Sequence, residues 1–219
     1  MKLLLTSGGI KNKTIYEGLV NLLQKPIEQC RALCISTALY PMSIAPTQTM
    51  KFYQGTCETP MCELGWASVG VLELTALPSI EKDTWVKWLE NTDVLLVNGG
   101  DPLYLSYWMK QSGIADILPS LNIVYVGLSA GSMIMSPCVG EEFVHWKKYV
   151  ENDETLGYVE FSIFPHLDHI ALPENTMENA LKWSEKLSHS CYVIDDETAI
   201  MVNGDKTIVL SEGKWKKLK

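Results

Sequence analysis

One pentapeptide constrains the fold of this chain more than any other feature of its sequence. Residues 127–131 read Gly-Leu-Ser-Ala-Gly and follow an apolar run at residues 123–126, which is typical of a buried strand. Residues 132–135 can begin a helix. A serine flanked by glycines between a strand and a helix is the arrangement of a nucleophile elbow, in which a sharp turn exposes the Ser129 hydroxyl. The alternative interpretation is a tight turn in a parallel sheet.

Apolar runs and amphipathic segments alternate along the rest of the chain. The pattern predicts strands at residues 3–6, 32–36, 69–74, 93–97, 123–126, within 158–163, and at 191–194, 198–202 and 206–210. It predicts helices at residues 14–24, 48–66, 102–111 and 175–187, and a further helix that Ser79 caps. In the first of these, Thr14 and Glu17 have capping-box spacing, and the helix at 48–66 is expected to have an irregular middle. This alternation favours an α/β fold with a mainly parallel sheet and helices on both faces. Because no domain boundary stands out, we expect one domain over residues 1–219.

Composition argues against several classes of function. The net charge of −8 disfavours a nucleic-acid partner, because phosphate binding needs a basic surface. The sequence has no run of eighteen apolar residues, so we expect no transmembrane helix and no membrane partner. The six cysteines lack Cys-x-x-Cys spacing and the N-terminus lacks the pattern of a secretory signal, which predicts free thiols in a reducing cytoplasm. The cysteines also lack histidines at metal-ligand spacing, so we expect no metal.

A second glycine-rich turn follows the strand predicted at residues 93–97. Asp101 can cap the next helix, and Pro102 suits its first turn. In open α/β sheets, ligands bind beyond the carboxyl ends of the strands, so this turn and Ser129 are expected at the same edge. Backbone amides there can stabilise a developing negative charge as an oxyanion hole. The candidate donors are the amides of Gly99, Gly100 and Ala130.

A serine hydroxyl becomes a good nucleophile only when a base takes its proton. The chain has four histidines. His166 is the preferred base, because it follows a predicted strand and Pro165, which would hold its backbone in an extended loop. His169 lies in the same loop, and His145 and His189 are weaker candidates.

The acid that orients the base is sought by geometry and not by a fixed sequence position. Asp195, Asp196 and Glu197 lie between two short predicted strands, where one of them could hold the imidazole. The order serine, histidine, acid differs from the α/β-hydrolases, which run serine, acid, histidine. A solvated turn is the competing interpretation of these three acidic residues.

Taken together, these segments resemble the peptidase E family, which contains bacterial aspartyl dipeptidases and cyanophycinases. The matching segments occur in the right order over nearly the whole chain: residues 3–7, Asn98-Gly99-Gly100-Asp101, residues 127–132, Pro165-His166, and residues 171–174 and 195–200. The resemblance implies a class I glutamine amidotransferase-like (flavodoxin-like) three-layer sandwich, with serine where those amidotransferases carry cysteine. It also implies a serine exopeptidase of dipeptidase type that needs neither metal nor cofactor.

The resemblance further implies roles for individual residues. Ser129 would be the nucleophile and His166 the general base. The family's acid is usually a glutamate, at a place where this chain has Asp196 with Glu197 adjacent, so both stay open as the third member. Apart from the resemblance, we expect Asp101 and His169 to bind substrate; His169 departs from the family pattern and is predicted to line the pocket. The expected partner is a small peptide, with monomer and homodimer both open; an esterase or thioesterase, and a catalytically silent binding module, are the alternative functions.

Overall fold

The computed structural model describes residues 1–150 and 152–219. The helices in these residues are α1 (Lys13–Leu23), α2 (Ala45–Gln54), α3 (Lys82–Glu90), α4 (Pro102–Gln111), α5 (Ile114–Ile117), α6 (Ala130–Met133) and α7 (Met177–Lys186). The strands are β1 (Lys2–Thr6), β2 (Arg31–Ile35), β3 (Ser68–Val71), β4 (Val94–Val97), β5 (Val124–Leu128), β6 (Phe161–Phe164), β7 (Ser190–Ile194), β8 (Thr198–Asn203), β9 (Lys206–Ser211) and β10 (Trp215–Leu218). Among the described helices, none combines the length and apolar character needed to cross a membrane.

The central sheet confirms the predicted α/β class with mainly parallel strands. Within the described residues its strand order is β3-β2-β4-β5-β1-β8-β9. The strands from β3 to β1 in this order run parallel, and β8 and β9 form an antiparallel hairpin at the other edge. Because β4, β5 and β1 are parallel neighbours, the residues that follow each of them meet at one edge of the sheet.

The two faces of the central sheet pack against separate apolar clusters. Leu3 and Leu5 of β1 pack with side chains of α3 and α4, whereas Leu4 packs with side chains of α1. Successive side chains of a strand point to opposite faces, and burying each of these leucines contributes about 2 kcal/mol. Helices on both faces give the three-layer arrangement expected of a flavodoxin-like fold.

A second, smaller sheet supplies two of the loops at the functional edge. Its strands β6 and β7 pair in parallel, and β10 pairs antiparallel with β7. The buried Trp183 of α7 packs on this sheet. Residues 195–197 connect β7 of the smaller sheet to β8 of the central sheet, so this acidic turn spans the junction of the two sheets.

Two predicted helix starts are wrong. Asn12, and not Thr14, caps α1, because its Oδ1 accepts the amide of Ile15 at 2.9 Å. The amide and hydroxyl of Thr14 donate instead to the Glu212 carboxylate. Helix α3 begins later than predicted, since Ser79 is the last residue of a 3-10 helix.

The helix predicted over residues 48–66 is wrong in its second half. Helix α2 begins earlier and ends at Gln54, with Gly55 as its C-cap. Residues beyond it form turns, in which the Trp66 indole donates to the Met61 carbonyl oxygen at 2.8 Å. Both side chains are buried against the α1 face of the sheet, so apolar spacing that looked helical reflects the packing of a loop.

Candidate active site

Ser129 lies at the turn between β5 and α6, as the pentapeptide predicted. Its backbone has φ 50° and ψ −113°, an unusual conformation for a residue with a side chain and one typical of a strained nucleophile elbow. The backbone of α6 also lies close to the end of β4 at this turn. A Cβ added at Gly131 would lie 2.3 Å from the Val97 carbonyl oxygen, so a side chain there would push β4 and α6 apart.

The structure brings Ser129, His166 and Asp196 into one chain of hydrogen bonds. His166 Nε2 lies 2.8 Å from Ser129 Oγ, and His166 Nδ1 lies 2.7 Å from Asp196 Oδ1. The His166 and Asp196 side chains are 19% and 15% exposed, so water has limited access to the pair. This arrangement can pass the serine proton to the imidazole and stabilise the imidazolium that results.

His166 is held by a turn and not by the extended loop expected after Pro165. Its φ is 58°, in the left-handed region, which costs a residue with a side chain some conformational energy. Two hydrogen bonds hold this turn: the His166 amide donates to Ser7 Oγ at 2.8 Å, and the Leu167 amide donates to the Ile194 carbonyl oxygen at 3.1 Å. His166 is therefore tied to both sheets.

Ser7 is a residue of this site that sequence reasoning missed. It follows β1 and is fully buried. Its hydroxyl donates to Asp196 Oδ1 at 2.7 Å while accepting the amide of His166. The available signal was a hydroxyl side chain at the carboxyl end of a central parallel strand, but its partners lie 159 and 189 residues away.

The carboxyl group of Asp196 is ionised under ordinary conditions. Burial by itself would raise its pKa, but the hydrogen bonds from His166 and Ser7 and the charges of His166 and Lys11 outweigh that effect and lower the pKa to about 2. Lys11 Nζ and His169 Nε2 each lie 3.7 Å from Asp196 Oδ2. His169 is thus beside the acid of this group, about one third exposed.

Glu197 lies next to Asp196 in sequence but its carboxylate has a different partner. Glu197 Oε2 accepts the side-chain amide of Asn12 at 3.0 Å. Asp195, the other acidic neighbour, accepts a hydrogen bond from the hydroxyl of Thr198 through one carboxylate oxygen, at 2.7 Å. Of the three adjacent acidic residues, Asp196 is the one whose carboxylate meets His166.

The two remaining histidines lie apart from this hydrogen-bonded chain. His189 Nε2 lies 2.7 Å from Ser162 Oγ, and Ser162 itself donates to the Cys138 carbonyl oxygen. His145 is exposed and lines a cavity beside Gly100.

Of the three amides predicted to form an oxyanion hole, two have no hydrogen-bond partner among the described residues and the third has one. Among the described residues no hydrogen-bond partner is found for the Gly100 amide, and the Ala130 amide opens α6, where no intrahelical acceptor exists. The Gly99 amide donates to Asn98 Oδ1 at 2.8 Å, so this predicted oxyanion-hole donor already has an acceptor. Gly99 instead lets the segment after β4 approach Ser129 closely, because a Cβ at Gly99 would lie 3.2 Å from Ser129 Cβ.

Asp101 caps α4, as predicted, and is buried beside Gly100. Its Oδ1 accepts the amide of Tyr104 at 2.9 Å. Burial raises the pKa of Asp101, although the Tyr104 amide and the nearby His145 act in the opposite direction. The residue also borders the cavity next to Gly100.

Among the described residues, no group of three or more His, Cys, Asp and Glu side chains could hold a metal ion.

Comparison with known proteins gives a consistent picture. The sequence model of Peptidase family S51 matches residues 3–210. A candidate peptidase E protein from Listeria monocytogenes EGD-e is similar in structure, with a TM-score of 0.68, 20% identity, and 97% of this chain and 98% of that chain covered. A peptidase from an acI-B1 Actinobacterium has a TM-score of 0.63 and 19% identity, with 99% of this chain and 93% of that chain covered. No curated protein sequence matches the chain.

Proposed function

Since this chain belongs to peptidase family S51, a family of serine peptidases, we propose that it is a dipeptidase-like exopeptidase with Ser129 as its nucleophile. The observation that carries the proposal is the chain of hydrogen bonds from Ser129 through His166 to Asp196. The likeness to the peptidase E family favours short peptides as substrates. Free thiols at all six cysteines favour a cytoplasmic location for the enzyme.

Acylation follows from the geometry of these three side chains. Ser129 Oγ attacks the scissile carbonyl carbon while His166 Nε2 takes the hydroxyl proton. Asp196, ionised because of its low pKa, stabilises the imidazolium through Nδ1. The negative charge that develops on the carbonyl oxygen is stabilised by the Gly100 and Ala130 amides.

Collapse of the tetrahedral intermediate completes acylation, and hydrolysis of the acyl-enzyme completes the reaction. The imidazolium of His166 gives its proton to the leaving amine, the carbon–nitrogen bond breaks, and an ester to Ser129 remains. A water molecule then attacks the ester, with His166 as base, and releases the acid and the free serine. Each amide bond cleaved therefore consumes one water and regenerates the enzyme.

A dipeptide panel tests the proposal. Wild type, Ser129→Ala, His166→Gln and the control His189→Gln are compared for release of amino acids. We expect Ser129→Ala and His166→Gln to lower turnover by about three orders of magnitude or more, because each removes a reacting group, and His189→Gln to stay near wild type. Turnover that survives Ser129→Ala contradicts the proposal, and Ser129-dependent cleavage of esters alone would favour an esterase.

A further inference from the structure

A cavity of about 290 Å³ is lined by Gly100, whose neighbour Gly99 lies against the Ser129 side chain, since a Cβ at Gly99 would be 3.7 Å from Ser129 Oγ. Its walls are Pro41, Met42, Gly100, Asp101, His145 and Trp146. Gly100 has φ 138°, and a Cβ there would lie 2.3 Å from the Ala38 carbonyl oxygen, so only glycine lets the chain pass between Ala38 and this cavity. Because the free amide of Gly100 faces the reacting carbonyl in the proposed mechanism, the cavity lies where a substrate side chain beside that carbonyl would enter.

One wall of the cavity is the aromatic ring of Trp146, which packs against three tyrosines. The Trp146 ring packs edge-on against Tyr104 of α4 at a centroid distance of 5.1 Å. It also packs at a tilt against Tyr107, at 5.3 Å. Tyr149 also packs against Trp146, at 5.7 Å. Contacts of this kind hold a ring in one orientation, so Trp146 provides a preformed apolar surface. Met42, 39% exposed, adds a second apolar wall that can adapt to the occupant.

The charges around the cavity disfavour an acidic occupant. Among the described residues that line it, none is Lys or Arg, Asp101 contributes a carboxyl group, and the charge of the one histidine, His145, acts on that carboxyl group. The cation nearest to the catalytic group, Lys11, is directed at Asp196 Oδ2. A carboxylate in the cavity would lose its hydration without gaining a fixed positive partner, which is costly.

We propose that this cavity binds the side chain of the substrate residue that carries the scissile carbonyl, and that it selects apolar or aromatic side chains over acidic ones. This inference rests on the proposed peptidase function, since it assigns a substrate class to the same site. Peptides that begin with leucine, methionine or phenylalanine fit the aromatic and methionine walls. Peptides that begin with aspartate meet the Asp101 carboxyl group.

Binding to the inactive Ser129→Ala variant tests the inference without turnover. Calorimetry compares Leu-Ala, Phe-Ala, Asp-Ala and Asn-Ala, where asparagine is the neutral counterpart of aspartate. We expect Leu-Ala and Phe-Ala to bind at least about tenfold more tightly than Asp-Ala, with Asn-Ala between them. Equal or tighter binding of Asp-Ala, or no binding of Leu-Ala, overturns the inference.

Two substitutions in the Ser129→Ala background assign the preference to the cavity. Trp146→Ala should weaken binding of Phe-Ala about tenfold, whereas the control Trp88→Ala, a half-exposed tryptophan of α3, should not. Met42→Arg should reverse the preference toward Asp-Ala. An unchanged preference in both cavity variants contradicts the inference. If Leu-Ala binds as expected but wild type cleaves no peptide, the proposed peptidase function fails while the cavity's selectivity stands.

Discussion

The Ser7 hydroxyl bridges Asp196 and the backbone of His166. It donates to Asp196 Oδ1 at 2.7 Å and accepts the His166 amide at 2.8 Å. One buried side chain at the end of β1 thereby fixes both Asp196 and the loop that carries His166. Ser7 Oγ lies 3.4 Å from His166 Nδ1, on the side of the ring away from the Nε2 that meets Ser129, so Ser7 is a positioning residue.

Replacing Ser7 with alanine should lower kcat about tenfold and leave KM nearly unchanged. The substitution removes one hydrogen bond from a charged carboxylate and leaves the His166 amide without an acceptor, a loss of about 1.5–3 kcal/mol. Steady-state kinetics on a dipeptide measures the effect. Ser184→Ala is the matched control, because Ser184 is a buried serine whose hydroxyl donates to the Leu181 carbonyl oxygen on α7. Equal losses in kcat for both variants would argue against a positioning role.

Asp196→Asn and Glu197→Gln should have very different effects on activity. An asparagine at 196 can no longer stabilise the imidazolium of His166, and the comparable change in a serine triad costs about 10⁴ in kcat. Glu197 contacts Asn12 instead, so Glu197→Gln should keep kcat within about threefold of wild type. The ratio of the two kcat values decides which carboxylate serves the base; a larger loss for Glu197→Gln would reverse the assignment.

The low pKa of Asp196 predicts a loss of stability in acid. The pKa is about 2 in the folded chain and 3.8 ordinarily, so the unfolded chain binds more protons between these values. The ionised carboxylate therefore contributes its full stability above about pH 4, about 2 kcal/mol, and this contribution disappears as the pH falls through about 2.

Urea unfolding of wild type and Asp196→Asn at pH 6 and near pH 2.5 measures this contribution. We expect the difference in free energy of unfolding between the two proteins to shrink at the lower pH. The exposed Asp205 provides the control variant Asp205→Asn, for which the difference should stay small at both pH values. A gap for Asp196→Asn that is independent of pH would contradict the prediction.

Gly131→Ala should abolish activity by displacing the nucleophile. The added methyl group meets the Val97 carbonyl oxygen at 2.3 Å, and relieving that clash costs about 1–3 kcal/mol. Thermal unfolding and kcat are measured together. Gly65→Ala is the contrasting variant, because a Cβ at Gly65 meets no atom within 4 Å and the change there strains the backbone alone. Activity per folded molecule should survive in Gly65→Ala; similar losses in both would show that crowding at the elbow is not decisive.

The sequence predicted those parts of the fold and of the site whose causes are local. The apolar run, the glycines and the serine at residues 123–131 predict an elbow, because each residue's conformational preference shapes the backbone at its own position. Asp101 followed by Pro102 predicts the start of α4, and the side chain caps that helix as expected. The sequence pattern gave a wrong prediction around Met61 and Trp66. These apolar side chains belong to a buried loop, but their spacing in the sequence resembles that of a helix.

Tertiary structure alone decided which distant polar groups meet. Asp196 and Glu197 are adjacent carboxylates that composition cannot separate, and the turn between β7 and β8 directs one to His166 and the other to Asn12. Ser7 belongs to the site because its hydrogen-bond partners, which are distant in sequence, lie there. The Gly99 amide instead donates its hydrogen bond to the side chain of the adjacent Asn98. The sequence by itself determined the elbow, the helix caps and the α/β order. Parallel pairing of β1, β4 and β5, which no local interaction dictates, brought their carboxyl ends together and selected the hydrogen bonds of the site.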